Sequence, residues 1–429
     1  MPDYFDPIDG SISAEAYVES SIYALEQERI FARTWLFLCP SSEIAKPGQF
    51  FSTYMAEDPV IVVRQKDGTV RAFLNQCRHR GMRVCTADAG VTRNFTCAYH
   101  GWTYASDGEL VNVPHFEDAY RSDIKTENFG LVRIPQVQEY KGLIFANWSP
   151  DAESFQAYLG DMAWYLDSFL DRWEGGMEAI PGVHKWTISC NWKLPSEQFA
   201  GDMYHSESTH VSALMALAPD GADPAAVDPY KSIRGFQFSA PNGHGHGFST
   251  TDYEDFAGPV ADAYRNETMA AAESRLGAVR AHMRGHGTIF PNFSYLSGYH
   301  TIRVWHPRGT DAIEVWAWGL VPKDAPPDVK DAYRKSILQT FSPAGYIEQD
   351  DGANLVEIQR ILRGTHARRT RLNVAMALGH ETTSVTGFPG PGRVHDTQFA
   401  ETSARGFYRR WQELLDLPAH TARGTEDTA

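Results

Sequence analysis

The sequence predicts an α+β protein that combines a small all-β domain with a larger domain of helices and strands. The all-β domain is expected at about residues 38–156, and residues 1–37 and 157–429 are expected to form the larger domain. Two observations lead to this division: strand-like runs joined by Asp-Gly pairs follow the first helix, and helical spacing returns after them. With 429 residues, 42% of them hydrophobic, the chain can bury a substantial core.

The first expected element is a helix. Ser13 belongs to the residue types that commonly cap helices. The run that follows it, AEAYVESSIYALEQERIFARTW, places apolar residues at helical spacing. We therefore expect one helix that ends near Trp35.

The next segment reads as β-structure. PVIVVRQKDGTVRAFLNQC is a pair of β-rich runs joined by Asp67-Gly68, and NFTCAYHGWTYASDGELVNV repeats the pattern around Asp107 and Gly108. The pattern predicts two hairpins and places Cys77 and Cys97 next to the ends of strands.

Helices and strands alternate in the remainder of the chain. Helical spacing is found at residues 154–173, 195–217 and 261–284. The runs HTIRVWHP and AIEVWAWGLVP are rich in β-branched and aromatic residues and predict strands.

Charge and composition exclude several classes of function. The 39 basic and 54 acidic residues give a net charge of −15, which disfavours nucleic acid as a partner. Neither a signal peptide nor an apolar run long enough for a membrane helix is found, so we expect a cytoplasmic protein without membrane contact. The five cysteines are few and odd in number, which favours metal binding or structural roles over disulfides.

Two mixed pairs of metal-binding residues lie in the β-rich segment. Cys77-x-His79 is followed, after seventeen residues, by Cys97-x-x-His100. A Rieske [2Fe–2S] cluster requires two thiolates on one iron and two imidazoles on the other, which is the set that these loops offer. Structural zinc and ordinary core residues are the alternatives, but zinc sites usually pair like with like. Cys85 is left over, and we expect it to be a buried apolar residue.

A second constellation follows in CNWKLPSEQFAGDMYHSESTH. It contains Asp202-x-x-His205-x₄-His210. Two histidines five residues apart do not share a helical face, so a helix must bend or end between them if both bind one ion. Two histidines and a carboxylate form the facial triad of non-haem iron oxygenases. Asp350 and Asp351 are the candidates for the carboxylate, although adjacent acids near a helix start are also common without a metal.

With these motifs the chain resembles the large (α) subunit of the Rieske non-haem iron aromatic-ring-hydroxylating dioxygenases, and most of all their biphenyl, toluene and phenylpropionate branch. The resemblance extends over nearly the whole chain. Besides the metal motifs it rests on the runs FLNQCRHRGMRVC, FTCAYHGWTY, YKGLIFANW, CNWKLPSEQFAGDMYH, RVWHPRG, EVWAWGLV and EQDDGANLVEIQ.

The resemblance implies a role for each metal-binding residue. It implies that the cluster is bound by Cys77, His79, Cys97 and His100. It implies that the catalytic Fe(II) is bound by His205, His210 and Asp351. It further implies that Asp202 bridges His205 of one α subunit to His100 of the next subunit in a trimer.

The resemblance also implies a helix-grip catalytic domain and a substrate pocket within it. The pocket residues that it implies are Gln198, Phe199, Met203, Leu296, Tyr299, Phe341 and Ile347. Gln198 replaces the asparagine of naphthalene-type relatives and favours the biphenyl branch, whereas Tyr299 and His300 are more polar than in many hydrocarbon-oxidising relatives. We place His286 at the edge of the pocket and read His244 and His246 as loop residues.

The implied activity is that of a terminal oxygenase. The chain would use O₂ to convert a biphenyl-like, alkylbenzene or phenylpropanoid-like compound to a cis-dihydrodiol. Electrons would come from NADH through a reductase and a ferredoxin, and a small β subunit would complete an α₃β₃ complex unless the enzyme is an α₃ trimer. A Rieske monooxygenase or demethylase is the alternative enzyme, and a Rieske electron carrier is the alternative from another class.

Overall fold

A computed structural model describes residues 3–217, 235–251, 257–382 and 384–418. The chain opens with two short strands, β1 (Phe5–Asp6) and β2 (Ser11–Ser13). The prediction of one N-terminal helix is wrong. The run divides into a 3₁₀ turn, a short α-helix and a π-helical turn, and the Ser13 side chain caps none of them. These elements are Ala14–Tyr17, α1 (Ser20–Glu26) and Gln27–Phe31.

The predicted all-β domain is confirmed. The two Asp-Gly turns join β5 to β6 and β9 to β10, and Gly68 and Gly108 adopt φ values of +85° and +96° that favour glycine. Its strands form the sheets β6-β5-β4-β7, β10-β9-β8 and β11-β12-β3. Their bounds are β3 Leu36–Pro40, β4 Gln49–Met55, β5 Asp58–Arg64, β6 Val70–Leu74, β7 Ala89–Val91, β8 Asn94–Thr96, β9 Thr103–Ala105, β10 Leu110–Asn112, β11 Gln136–Tyr140 and β12 Leu143–Asn147. Two 3₁₀ turns, Ser41–Ile44 and Thr126–Phe129, lie among them.

The larger domain contains an antiparallel sheet to which nine strands contribute within the described part of the chain. Its order is β13-β20-β19-β18-β17-β16-β15-β22, and β14 also pairs with β20. The two predicted strands are confirmed as β19 and β20, which are buried almost throughout. The bounds are β13 Met177–Ala179, β14 His184–Ile188, β15 Gly235–Ser239, β16 Gly245–Ser249, β17 Arg284–Ile289, β18 Phe293–Leu296, β19 Thr301–Pro307, β20 Ile313–Pro322 and β22 Arg393–His395. Strand β21 (Arg371–Asn373) pairs instead with β2.

Helices pack against this sheet and beside it. They are α2 Phe155–Leu159, α3 Met162–Leu170, α4 Lys193–Gln198, α5 Ser206–Thr209, α6 Val211–Leu217, α7 Pro259–Leu276, α8 Ala278–Ala281, α9 Pro327–Thr340, α10 Tyr346–Leu362 and α11 Thr402–Asp416, with a 3₁₀ turn at Ala367–Arg369. Glycines with positive φ interrupt two of the predicted helices, at Gly160 and Gly277. The helix predicted at residues 261–284 also ends earlier than predicted, because Arg284 is the first residue of β17. No helix among the residues described above is both long and apolar enough to cross a bilayer.

A buried ion pair fixes α4, the helix that leads to His205. The Lys193 ammonium lies 2.5 Å from the Glu26 carboxylate, and both side chains are fully buried. The indole N–H groups of Trp192 and Trp411 donate to the same carboxylate at 2.7 and 2.8 Å. Glu26 thus joins α1, α4 and α11, which holds the start of the histidine-containing segment in place.

Candidate functional site

The two Cys/His pairs lie in two loops with the same hydrogen-bond pattern. The N–H of Cys77 donates to the Met82 carbonyl, and the Cys77 carbonyl accepts from Gly81. In the second loop Cys97 makes the corresponding bonds, to the carbonyl of Trp102 and from the N–H of Gly101. Gly81 and Gly101 have φ values of +77° and +75°. The two cysteines therefore occupy equivalent positions.

The loops bring the four predicted cluster residues together. The imidazole rings of His79 and His100 lie 4.5 Å apart between centroids. Both cysteines are 2% exposed, whereas both histidines are partly exposed. Within the described structure the Nδ1 atom of His79 is buried and has no hydrogen-bond partner, as expected of an atom that binds a metal. Two thiols and two imidazoles at one loop pair fit a Rieske cluster.

Several residues around these loops were missed in the sequence. The Tyr104 hydroxyl lies 3.3 Å from Cys77 Sγ and accepts the N–H of Arg78 at 2.9 Å. The Trp102 ring stacks on His79 with centroids 5.0 Å apart. A glycine four residues after each cysteine was a signal that could have identified the loops as equivalent. Cys85 is buried in the same small core, as predicted.

The second constellation lies where the helical path is interrupted. The helix α4 ends at Gln198, and His205 and His210 flank the four-residue helix α5 as its first and last caps. A break of this kind is required, because two histidines five residues apart in one continuous helix cannot face the same point. Asn354 of α10 donates to the Thr209 hydroxyl at 2.8 Å and ties the loop to that helix.

Three side chains converge at this point. The Nε2 atoms of His205 and His210 each lie 3.4 Å from Oδ1 of Asp351. Their three ligand atoms lie within 4.8 Å of one another, a spacing that suits donors around one ion. Two imidazoles and one carboxylate leave further coordination positions open, which fits a mononuclear iron. Asp350 faces away from this point, with Oδ2 3.5 Å from Nδ1 of His210.

The electrostatics of the triad favour a cation. Burial lowers the pKa of His205, but the carboxylates of Asp202 and Asp351 more than offset it and raise that pKa to about 10. Burial raises the pKa of Asp351, and its contacts with His205 and His210 hold the pKa well below its usual value. The carboxylates of Asp202 and Asp351 thus dominate the electrostatics around His205.

Asp202 contacts His205 at Nδ1, the ring nitrogen that does not face Asp351. Its Oδ2 atom lies 3.1 Å from Nδ1 of His205. Its Oδ1 atom accepts the backbone N–H groups of Tyr204 and His205 at 2.9 and 3.2 Å. The carboxylate thus fixes the orientation of the ring whose other nitrogen faces Asp351.

A cavity opens above the triad. All seven predicted pocket residues line it: Gln198, Phe199, Met203, Leu296, Tyr299, Phe341 and Ile347. His286 lines it too, and its ring nitrogens contact the Phe199 carbonyl at 3.0 Å and the Met203 sulfur at 2.8 Å. Burial lowers the pKa of His286 to about 4, so this histidine is neutral at ordinary pH.

Two of the predicted pocket residues, Gln198 and Ile347, are directly related to Asp351. The Gln198 amide donates to Oδ1 of Asp351 at 2.9 Å. Ile347 lies one helical turn before Asp351 in α10, and both side chains are buried on the face that borders the cavity.

The prediction that His244 and His246 are loop residues is confirmed for His244, which precedes β16, and is wrong for His246. Both are fully buried, and His246 lies in strand β16. His244 contacts the Tyr158 carbonyl at 2.8 Å and accepts the N–H of Phe290 at 2.9 Å. The glycine that follows each histidine allows the neighbouring backbone to approach closely, Gly245 facing Ala200 and Gly247 facing Gly201.

Two family models match this chain. The Rieske [2Fe-2S] domain matches residues 34–137. The family described as ring hydroxylating alpha subunit (catalytic domain) matches residues 155–417. The first contains the mixed Cys/His loops and the second contains the His/His/Asp triad.

Individual proteins resemble the chain over nearly its full length. Benzene 1,2-dioxygenase subunit alpha of Pseudomonas putida is 45% identical, with 96% of this chain and 93% of that protein covered. Biphenyl 2,3-dioxygenase subunit alpha of Rhodococcus jostii is 45% identical, with 97% and 92% covered. The solved structure of naphthalene 1,2-dioxygenase with indole bound in the active site has a TM-score of 0.89 at 32% identity, with 97% and 94% covered.

These matches agree with the geometry of both sites. They account for a Rieske [2Fe–2S] cluster and a mononuclear iron as the cofactors of the chain. The chain belongs to the family of ring-hydroxylating α subunits, the terminal oxygenase subunits of multicomponent aromatic-ring dioxygenases.

Proposed function

We propose that the chain dihydroxylates a one- or two-ring aromatic compound to a cis-dihydrodiol at the site formed by His205, His210 and Asp351. The observation that carries this proposal is the position of the triad at the base of a largely apolar cavity. In the same proposal Cys77, His79, Cys97 and His100 bind the cluster. When bound, the cluster supplies single electrons and the iron supplies the activation of O₂.

The side chains around the cavity have separate tasks. Phe199, Leu296 and Phe341 exclude water and hold the aromatic ring, since buried apolar surface binds rings without requiring a specific hydrogen bond. Gln198 holds the Asp351 carboxylate through its amide. Protein groups position the substrate above the iron and need to transfer few protons themselves.

The substrate is proposed from the cavity and from the relatives. The cavity is lined mainly by apolar and aromatic side chains, which suits an aromatic ligand. The names of the similar proteins, benzene dioxygenase and biphenyl dioxygenase, support substrates of one or two rings. Tyr299 and His286 add polar groups to the wall. These groups suit a ring with a polar substituent, such as a phenylpropanoid.

The partners are proposed from the family and from the positions of the residues at the two metal-binding sites. Relatives are subunits of multicomponent dioxygenases, which supports electron-transfer partners and a β subunit. We propose a ferredoxin and an NADH-dependent reductase as electron donors and an α₃β₃ assembly. In that assembly the partly exposed His100 of one subunit approaches Asp202 of the next. We propose the cytoplasm as its compartment, since none of the five cysteines forms a disulfide.

We also propose that the cluster-binding domain covers residues 38–156. The family match ends earlier, at residue 137, but β11 and β12 continue the same unit because β12 pairs with β3. Residues 1–37 and 157–429 would then form the catalytic domain.

The test is a reconstituted reaction with ¹⁸O₂. The purified oxygenase, a ferredoxin, a reductase and NADH are incubated with benzene, biphenyl or 3-phenylpropionate, and products are analysed by mass spectrometry. Two labelled oxygens on adjacent ring carbons are expected. One labelled oxygen would indicate a monooxygenase, and electron transfer without any oxygenated product would indicate an electron carrier.

A further inference from the structure

A fully buried arginine lies directly behind the wall of the cavity. Arg303, in strand β19, has no exposed side-chain surface, and its Nη1 atom lies 2.5 Å from the Glu348 carboxylate. Its Nη2 atom donates to the Thr301 hydroxyl at 3.2 Å. A buried charge is tolerated only when it is paired and hydrogen-bonded, so the guanidinium has a fixed position.

The guanidinium also contacts the faces of two aromatic residues that line the cavity. Its central carbon lies 4.9 Å from the ring centroid of Phe199 and 5.1 Å from that of Phe341. A third ring, that of Trp305, lies 5.5 Å away. These distances lie within the range of cation–π attraction, which is strongest where water is excluded.

The partner of the arginine connects this aromatic group to the iron-binding helix. Glu348 lies in α10, three residues before Asp351 and next to Ile347. The Arg303–Glu348 pair therefore joins the sheet to the helix that carries Asp351, while the guanidinium lies over the rings of Phe199 and Phe341. Arg303 thus sets the positions of Phe199 and Phe341 relative to α10.

We propose that Arg303 is a positioning residue that determines how the aromatic substrate is oriented above the iron, by fixing Phe199, Phe341 and α10 relative to one another. This inference rests on the proposed function. Lysine cannot replace arginine here, because a compact ammonium that pairs with Glu348 lacks the extended, planar guanidinium that contacts both Phe199 and Phe341.

The experiment compares Arg303→Lys with Arg405→Lys. Arg405 is a matched control because it is also buried, at 2% exposure, and it binds the carbonyls of Val374 and Met376 and the carboxylate of Glu381, none of which lines the cavity. Iron content, cluster absorbance, melting temperature, kcat and KM are measured for each variant. The ratio of dihydrodiol isomers formed from biphenyl is measured in the same reactions.

In Arg303→Lys we expect both metals to be retained, the isomer ratio to change and the KM for biphenyl to rise about tenfold. Arg405→Lys should lower the melting temperature without changing the isomer ratio or KM. An unchanged isomer ratio and KM in Arg303→Lys, with both metals present, would overturn the proposal.

Two further measurements keep the inference separable from folding and from the proposed function. Glu348→Gln retains a hydrogen-bond acceptor for Arg303 but removes the charge, so it should shift the isomer ratio as well. If Arg303→Lys does not fold, an unchanged ratio in Glu348→Gln counts against the proposal. If the wild-type enzyme forms no dihydrodiol, the proposed function fails. Biphenyl affinity measured by calorimetry then tests Arg303 alone, with a loss of about tenfold expected for Arg303→Lys and no change for Arg405→Lys.

Discussion

The carboxylate of Asp202 lies 3.1 Å from Nδ1 of His205, on the side of the ring opposite to the nitrogen that faces Asp351. In Asp202→Asn we expect both metal centres to assemble and the cluster to be reduced normally. Turnover should fall about 10–100-fold, because a carboxylate behind a metal-binding histidine sets the orientation of its ring. Iron content, the spectrum of the reduced cluster and the rate of product formation are the measurements. Product formation near the wild-type rate would contradict the assigned role of Asp202.

Asp351 and its neighbour Asp350 should respond differently to truncation. Asp351→Ala removes the carboxylate that both histidines face, so this variant should lose the mononuclear iron and all turnover but retain the cluster. Asp350→Ala should be milder, since Asp350 lies on the far side of His210. Iron analysis compares the two variants. Equal loss from both, or loss only from the Asp350 variant, would show that the ligand is assigned to the wrong residue.

The cysteines can be distinguished by the absorbance of the cluster. Cys77→Ser and Cys97→Ser should abolish the Rieske spectrum, because each removes one of two thiolates on the same iron. Cys85→Ser should retain it, since Cys85 is buried in the same small core but lies outside the two equivalent loops. A colourless Cys85 variant combined with a coloured Cys97 variant would refute the assignment.

Ile347 should affect the site of oxidation on larger substrates. It is 3% exposed, borders the cavity and lies one turn before Asp351. Ile347→Phe should fill the space beside the iron, so that biphenyl is excluded or oxidised at other carbons while toluene is still accepted. Isomer ratios for both compounds are measured with metal content as the control. Lower stability with unchanged ratios would mean that Ile347 serves only in packing.

The ion pair between Lys193 and Glu26 should be important for stability. Lys193→Met leaves a fully buried carboxylate without its cation, which should destabilise the protein by about 3–5 kcal/mol. Glu26→Gln/Lys193→Met removes both charges and should recover part of that loss. Chemical denaturation of the three proteins measures the difference. A double variant no more stable than Lys193→Met would argue against the uncompensated charge as the cause.

The sequence was most informative where function depends on local spacing. The Cys-x-His and Cys-x-x-His loops and the five-residue interval between His205 and His210 are contained in short segments, so the chemistry of the ligands could be inferred from them. The choice between Asp350 and Asp351 could not be made from spacing, because it depends on which side chain faces a loop about 140 residues earlier in the chain. The resemblance supplied that choice, and the structure places Asp351 between the two histidines.

Local patterns were misleading where the fold imposes another conformation. The N-terminal run has helical spacing, yet it begins with a separate 3₁₀ turn, and its helix changes from α to π geometry after Glu26. The glycine-spaced histidines resembled a loop, yet His246 belongs to a buried strand whose glycines accommodate a neighbouring backbone. The pair between Arg303 and Glu348 joins residues 45 positions apart and has no signature in the sequence.

The hydrogen bonds to Glu26 also have a consequence for the order of events during synthesis. Glu26 is bound by Trp411, 385 positions later in the chain, whereas the residues of the two cluster-binding loops lie within 26 positions of one another. Local contacts form faster than contacts that close long loops. The cluster-binding loops can therefore form while the ribosome is still translating the catalytic domain, but the support behind α4 is complete only after α11 has been made. Iron delivered to the histidines before that stage would meet a segment that is not yet held in place.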